Sequence, residues 1–215
     1  MRTIIYIDGF NLYYGCLKNT AYKWLDLKAA FEGLLSDRNQ ITAIKYFTAR
    51  VKPKANNSSS PQEQQAYLRA LESHIPEVEI HYGHFLQHTV RMANAAPPPN
   101  TVQVIKTEEK GSDVNLSVHL LNDAWLNAYD CAVVVTNDSD MAEAMNLVKQ
   151  HHPKKVLGLV TPGSNNRNSP QYSRTSEQLK KHANFVKRLR PGLLSNSQLP
   201  VHIPGTTIRK PASWD

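Results

Sequence analysis

The run Cys131-Ala132-Val133-Val134-Val135 places no polar side chain on either of its alternating faces. A strand of that kind is stable only where both faces are covered, which is the middle of a mainly parallel sheet held between two helix layers. Ile4-Ile5-Tyr6-Ile7 reads in the same way. Strand and helix signals alternate along the rest of the chain, so the expected architecture is an α/β sandwich with crossover helices. A length of 215 residues suits one such domain with extensions. We place it at residues 1–190, with 191–215 as an extended tail.

Local signals fill in the order of elements. Residues 2 to 7 form a first strand, and Asp26 caps a helix from Leu27 to about Leu35. The β-branched and aromatic stretch from Ile41 to Ala49 is a second strand. Ser60, Pro61 and Glu63 make a capping box for a helix to about His74, followed by a strand from Val78 to Phe85. Gln87 to Thr101, with three consecutive prolines, is expected as a surface loop between two extended arms, the second being Val102 to Lys106. Val114, Val118, Leu121 and Trp125 recur at helical spacing, so a helix from Ser112 to Ala128 is expected to bury that stripe. Ser139 caps a helix to about Gln150, Val156 to Val160 is a strand, and Gly163 to Arg174 is a polar loop. Thr175 and Gln178 suggest a further capping box, opening a helix to about Ala183, and Phe185 to Leu189 is the last strand. The proline-punctuated tail should lie extended over the body or be partly disordered.

Carboxylates stand just beyond two of the apolar runs. Asp8 follows the first strand, and Asp138 and Asp140 follow the central one. In an open parallel sheet the ligand crevice lies outside the carboxyl ends of the strands, so these groups should converge there, joined by Asp113 at the start of its helix. Such a cluster repels itself unless hard divalent cations neutralise it, which points to Mg²⁺ or Mn²⁺ on oxygen ligands. Asn11 can orient Asp8, while Thr136 and Ser139 offer hydroxyls to a water or a phosphate oxygen. Lys110 supplies a cation, and Glu108 and Glu109 could join the cluster. His119, on the helix that Asp113 begins, is a candidate substrate contact. Tyr13 and Tyr14 could offer a stacking face to an unpaired base.

Charge is unevenly spread. Residues 1–150 carry 14 basic and 16 acidic side chains (net −2), while residues 151–215 carry 11 and 2 (net +9), giving +7 overall. A basic third beside an acidic, metal-loaded crevice favours a polyanion, with Lys180, Lys181, Lys187, Arg188 and Arg190 as flanking phosphate contacts. Two cysteines in apolar contexts suggest a reducing, cytoplasmic setting, and no apolar run is long enough for a membrane span. Nucleotide-binding P-loop, dinucleotide fingerprint and nucleophile-elbow motifs are all absent.

Three stretches taken together, Tyr6 to Gly15, Glu108 to Ala124 and Val133 to Met145, resemble the NYN domain of the PIN-like nucleases, the branch that includes the LabA/DUF88 proteins. The resemblance spans roughly residues 1 to 190, and the tail motifs Gln198-Leu199-Pro200 and Lys210 to Trp214 look like an extension of one subgroup. It implies a Rossmann-like α/β/α sandwich, Mg²⁺ or Mn²⁺ as cofactor, and hydrolysis of RNA, single-stranded RNA being favoured. Asp8, Asp113, Asp138 and Asp140 match its acidic positions and Asn11 its asparagine. Many relatives carry Asp at the position of His119 and Gly at that of Asn137. The expected function is therefore a metal-dependent endoribonuclease leaving 5′-phosphates. The alternatives are a binding or scaffold module with the same fold and little activity, or a small phosphatase or nucleotidase. A PIN-like fold commonly pairs into homodimers, although no exposed apolar stripe is legible in the sequence to demand one.

Overall fold

The computed structural model describes residues 1–53, 58–163 and 174–214. The described residues form eight strands: β1 (Arg2–Asp8), β2 (Gln40–Thr48), β3 (Val78–Tyr82), β4 (His84–Ala93), β5 (Thr101–Lys110), β6 (Cys131–Val135), β7 (Val156–Thr161) and β8 (Phe185–Arg188). Six of them form one sheet in the order β3-β2-β1-β6-β7-β8, and every pairing within it is parallel. The chain works outwards from β1 to β3, then returns to lay β6 on the other side of β1 and works outwards again. The crevice between the carboxyl ends of β1 and β6 is thus the topological switch point of the sheet.

The apolar strands do what their composition requires. Ile5, Ile7, Val133 and Val135 enter one core, while Ile4, Tyr6, Ala132 and Val134 enter the other on the opposite face. Helices cover both faces: α1 (Gly9–Leu12), continued by a wider turn over Tyr13–Leu17, α2 (Leu27–Leu34), α3 (Ser60–His74), α4 (Ser112–Trp125), α5 (Ala142–His151), α6 (Glu177–Lys180) and α7 (Pro191–Asn196). Asp26 caps α2 as expected, its carboxylate accepting from the Ala29 amide at 3.0 Å. The cap of α3 is Ser59, one residue earlier than expected, with its hydroxyl 2.7 Å from Glu63.

Several expectations fail for identifiable reasons. The loop expected from Gln87 to Thr101 is mostly strand: β4 and β5 form a ten-pair antiparallel hairpin apart from the main sheet. Gly83 ends β3 there, because a Cβ would stand 2.5 Å from both Glu109 Oε1 and the Lys110 carbonyl. Thr175 is no helix cap, since its hydroxyl is spent on Thr161 and Arg188, and α6 is a single turn. The polar loop expected at Gly163 to Arg174 lies outside the described residues for all but its two ends.

Helix α4 faces the other way. Leu116, Leu120 and Ala124 are buried, while Val114, Val118 and Trp125 are 64%, 56% and 56% exposed. Both stripes are apolar at helical spacing, so hydrophobic periodicity alone does not choose between them. Asp123 does. It lies on the inward side, where it accepts hydrogen bonds from Lys45 Nζ and the Tyr6 hydroxyl, each at 2.7 Å.

The tail does lie over the body, but as part of it. Leu194, Leu199, Ile203, Ile208 and Trp214 are buried in the same core as Ile5 and Val133. Trp24 donates its indole N–H to the Pro200 carbonyl and receives the Leu199 amide on its own carbonyl, both at 2.9 Å.

Candidate active site

Asp8 is the last residue of β1 and the cap of α1, and its side chain is buried. One carboxylate oxygen accepts from the Asn11 amide N–H at 2.9 Å. The other accepts from Asn11 Nδ2 at 2.8 Å and from the Thr136 hydroxyl at 3.1 Å. Thr136, just past β6, in turn accepts from the Asp138 amide at 3.1 Å. The two strand ends flanking the switch point are therefore joined through side chains. Burial drives the Asp8 pKa upward against these three donors, and the charge of Asp138 adds to the rise.

Asp138 caps the turn Ser139–Met141 that leads into α5, its Oδ1 accepting the Asp140 amide at 3.0 Å. Asp138, and not Ser139, is thus the cap. Ser139 and Asp140 are exposed at the rim of the crevice. Asn137 ties a second segment to the site: its amide donates to Asn11 Oδ1 at 3.1 Å, and its side chain bridges the Arg174 carbonyl and the Ser176 amide. A glycine could not make that bridge.

Asp113 lies in the first turn of α4, half-buried. Burial and then the charges of Asp8, Asp138, Glu109 and Asp140 push its carboxyl up to about 6. All four sequence-derived aspartates therefore share one electrostatic environment. They do not close on one point: among the described residues, no three carboxylate, histidine or cysteine groups are gathered as a ready-made metal ligand set. Glu109 turns to α4, accepting from the Ser112 hydroxyl at 2.7 Å.

The other candidates fall in different places. His119 packs on His81, ring centroids 4.2 Å apart, and on Phe47, and its pKa is lowered by burial. Lys110 is exposed at the base of the hairpin, 3.7 Å from Glu108, which also pairs with Lys106 at 2.8 Å. Within the basic third, Lys187 donates to the Leu34 carbonyl and Arg188 to Thr175, so those two cations serve the fold. Both cysteines are free and buried. None of the described helices is long and apolar enough to cross a membrane. The Asn137 bridge is invisible in the sequence, since a lone Asn after a strand signals only a turn.

Over residues 2–184 the chain matches the family model of the NYN domain. It belongs to the NYN family. That family is PIN-like and of the LabA/DUF88 type. A Pseudomonas putida protein named 6-hydroxy-3-succinoylpyridine 3-monooxygenase HspA is 36% identical over 242 aligned positions, covering 100% of this chain and 75% of the relative. The crystal structure of a Vibrio parahaemolyticus protein of unknown function superposes with a TM-score of 0.53 at 13% identity, covering 88% of this chain and 93% of that one, which supports the fold.

The raised Asp113 pKa has a measurable sign. In metal-free protein the folded state holds a proton here that the unfolded chain releases near 3.8, so this carboxyl destabilises the fold above pH 6 and the cost fades as pH falls towards 4. Asp113→Asn should stabilise metal-free protein at neutral pH by about 1 kcal/mol or less given its exposure, and so raise its Tm. Melting both proteins across the acid-to-neutral range checks this; the same pH profile in the variant would show that another group titrates.

Proposed function

We propose that this NYN protein is a divalent-metal-dependent endoribonuclease that cuts RNA in the crevice between β1 and β6. The observation that supports it best is the hydrogen-bonded chain Asn11–Asp8–Thr136–Asp138, which holds carboxylates from two strand ends at the switch point beside Asp113. NYN nucleases act on RNA and generally use divalent metals. The donor set is all oxygen and mutually repelling, which fits a hard cation, Mg²⁺ or Mn²⁺, held by Asp8, Asp113, Asp138 and Asp140. When bound, the cation would lower the pKa of a water and stabilise charge on the leaving oxygen.

The chain's own residues do the positioning. Asn11 and Thr136 keep the Asp8 carboxylate from swinging, and the hydrogen bond from the Asp140 amide does the same for Asp138. Ser139 and Lys110, both exposed, would meet phosphate oxygens of single-stranded RNA, giving salt-sensitive binding with little base preference. His119 has no part in this reading. Incubating the protein with labelled single-stranded RNA and DNA in Mn²⁺, Mg²⁺ or EDTA tests it. Binding that persists in EDTA with no cleavage in any metal would make the chain a recognition module instead.

A homodimer belongs to the same reading. Val114, Val118 and Trp125 are exposed on one face of α4 and flanked by uncharged Asn115 and Asn122, so this face can meet a second copy of itself without burying like charges. Sedimentation should then show a dimer that Val118→Glu splits; a wild-type monomer refutes it.

The name of the Pseudomonas putida relative supports a second reading, oxygenation of a pyridine-type substrate. Against it, the turn after β1 is Asp8-Gly9-Phe10-Asn11, a carboxylate where a dinucleotide's pyrophosphate needs a glycine-rich loop. Consumption of NADH driven by a hydroxypyridine acid, in a preparation that leaves RNA intact, would establish that reading over ours.

A further inference from the structure

A cavity of about 320 Å³ opens beside the crevice, on the α1 and α3 side of β2. That volume is at the small end of ligand pockets and matches one flat ring system with a substituent. Its walls are aromatic: Phe10, Tyr13, Tyr14, Tyr46, Tyr67 and Trp214. Gly9 and Phe10 continue directly from Asp8, so the cavity and the carboxylates share one turn of backbone. Tyr13 and Tyr14 meet edge to face, ring centroids 5.2 Å apart, and Tyr14 is 51% exposed, leaving a face available for stacking. The Tyr46 ring is packed hard against Gly9, where a Cβ would stand 2.7 Å away.

Charge sets the polarity of the occupant. Lys18, Lys23 and Lys52 line the cavity, and none of them forms an ion pair among the described residues. Lys18 sits 5.0 Å over the Tyr14 ring and Lys23 5.2 Å over that of Trp214. The one acidic lining residue, Glu63, is already engaged by Ser59, Ser213 and the Trp214 indole N–H. Three cations against one committed carboxylate leave a positive, aromatic-walled cavity.

We propose that this cavity binds a flat heteroaromatic ring carrying an anionic group, with the ring against Tyr14 and the anion on Lys18 and Lys23. A nucleotide of bound RNA and a small aromatic carboxylate are the two sources of that chemistry. The role of the cavity as a base subsite rests on the nuclease reading; binding of the free ligand does not. Base stacking and cationic capture together make the ring and the anion both necessary.

The test is a titration in EDTA, followed by quenching of the tryptophan fluorescence of Trp214 and Trp24. The probes are a nucleoside 5′-monophosphate, its nucleoside, inorganic phosphate, and nicotinate as an aromatic carboxylate. The monophosphate should bind at least ten-fold more tightly than nucleoside or phosphate. Tyr14→Ala and Lys18→Gln, both at exposed positions, should each weaken it on the order of ten-fold. Nicotinate binding more tightly than the monophosphate would support the same chemistry with a small acid as its source. Phosphate binding as well as the monophosphate, or wild-type affinity in both variants, would overturn the proposal. Because EDTA suppresses any cleavage, failure here leaves the nuclease reading standing, and an inactive protein that still binds leaves this one standing.

Discussion

Asp138→Asn will reduce metal-dependent RNA cleavage by at least about 100-fold while the protein folds as before. Residues that merely support a metal ligand cost 10- to 100-fold on removal, and the proposal makes Asp138 a direct ligand. The fold is spared because the cap survives: Asn keeps an oxygen that can accept the Asp140 amide, now at 3.0 Å from Oδ1, and Asn and Asp are equivalent N-caps. Only the negative charge goes. Single-turnover cleavage of labelled RNA in Mn²⁺, with thermal melts of both proteins, makes the measurement. Cleavage within a few-fold of wild type would remove Asp138 from the chemistry; a large fall in Tm would make the loss structural.

Lys45→Met should destabilise the protein by about 3 to 5 kcal/mol. Lys45 of β2 and Asp123 of α4 are both buried and 2.7 Å apart, with the Tyr6 hydroxyl on the same carboxylate oxygen and Glu79 3.9 Å from the ammonium. Methionine fills the same space as the lysine stem but leaves the Asp123 carboxylate buried without a counter-ion. Total stabilities of 5 to 15 kcal/mol make this a large fraction, about 10 °C in Tm for a domain of this size. Adding Asp123→Asn should recover much of it by removing the orphaned charge. Urea titrations of the two single variants and the double variant close the cycle. A cost below about 1 kcal/mol for Lys45→Met would mean that the pair does not hold α4.

These two residues differ in how readable they are. Asp138 stands out because an all-apolar strand ends just before it, and strand ends at a switch point are where ligands meet protein. Lys45 is hidden in a strand whose neighbours are Ile44 and Tyr46, and nothing within β2 announces that it points under a helix 78 residues later. The same difference separates α4's existence from its orientation. Its helical spacing is plain, but it carries two apolar stripes, and the buried ion pair turns one of them inward. The two extended arms are legible in the sequence, but Pro97-Pro98-Pro99 hides how far their strands run towards the tip. The burial of the tail is hidden in the sequence because Leu199, Ile203, Ile208 and Trp214 follow no helix or strand period.

The sequence by itself determined the α/β class, the central position of β6, and the identity of the carboxylates at the strand ends, because local apolar runs and their terminators report burial directly. The tertiary structure alone decided which strands became neighbours, and so that Asp8 and Thr136 would touch across 128 residues. It also set Asp113 close enough to the others for its carboxyl to rise to about 6, turned α4 over, and sealed the aromatic cavity with the last tryptophan of the chain. Each of these is a contact between segments distant in sequence, and such contacts are chosen by the packing of the whole chain, which no local pattern encodes.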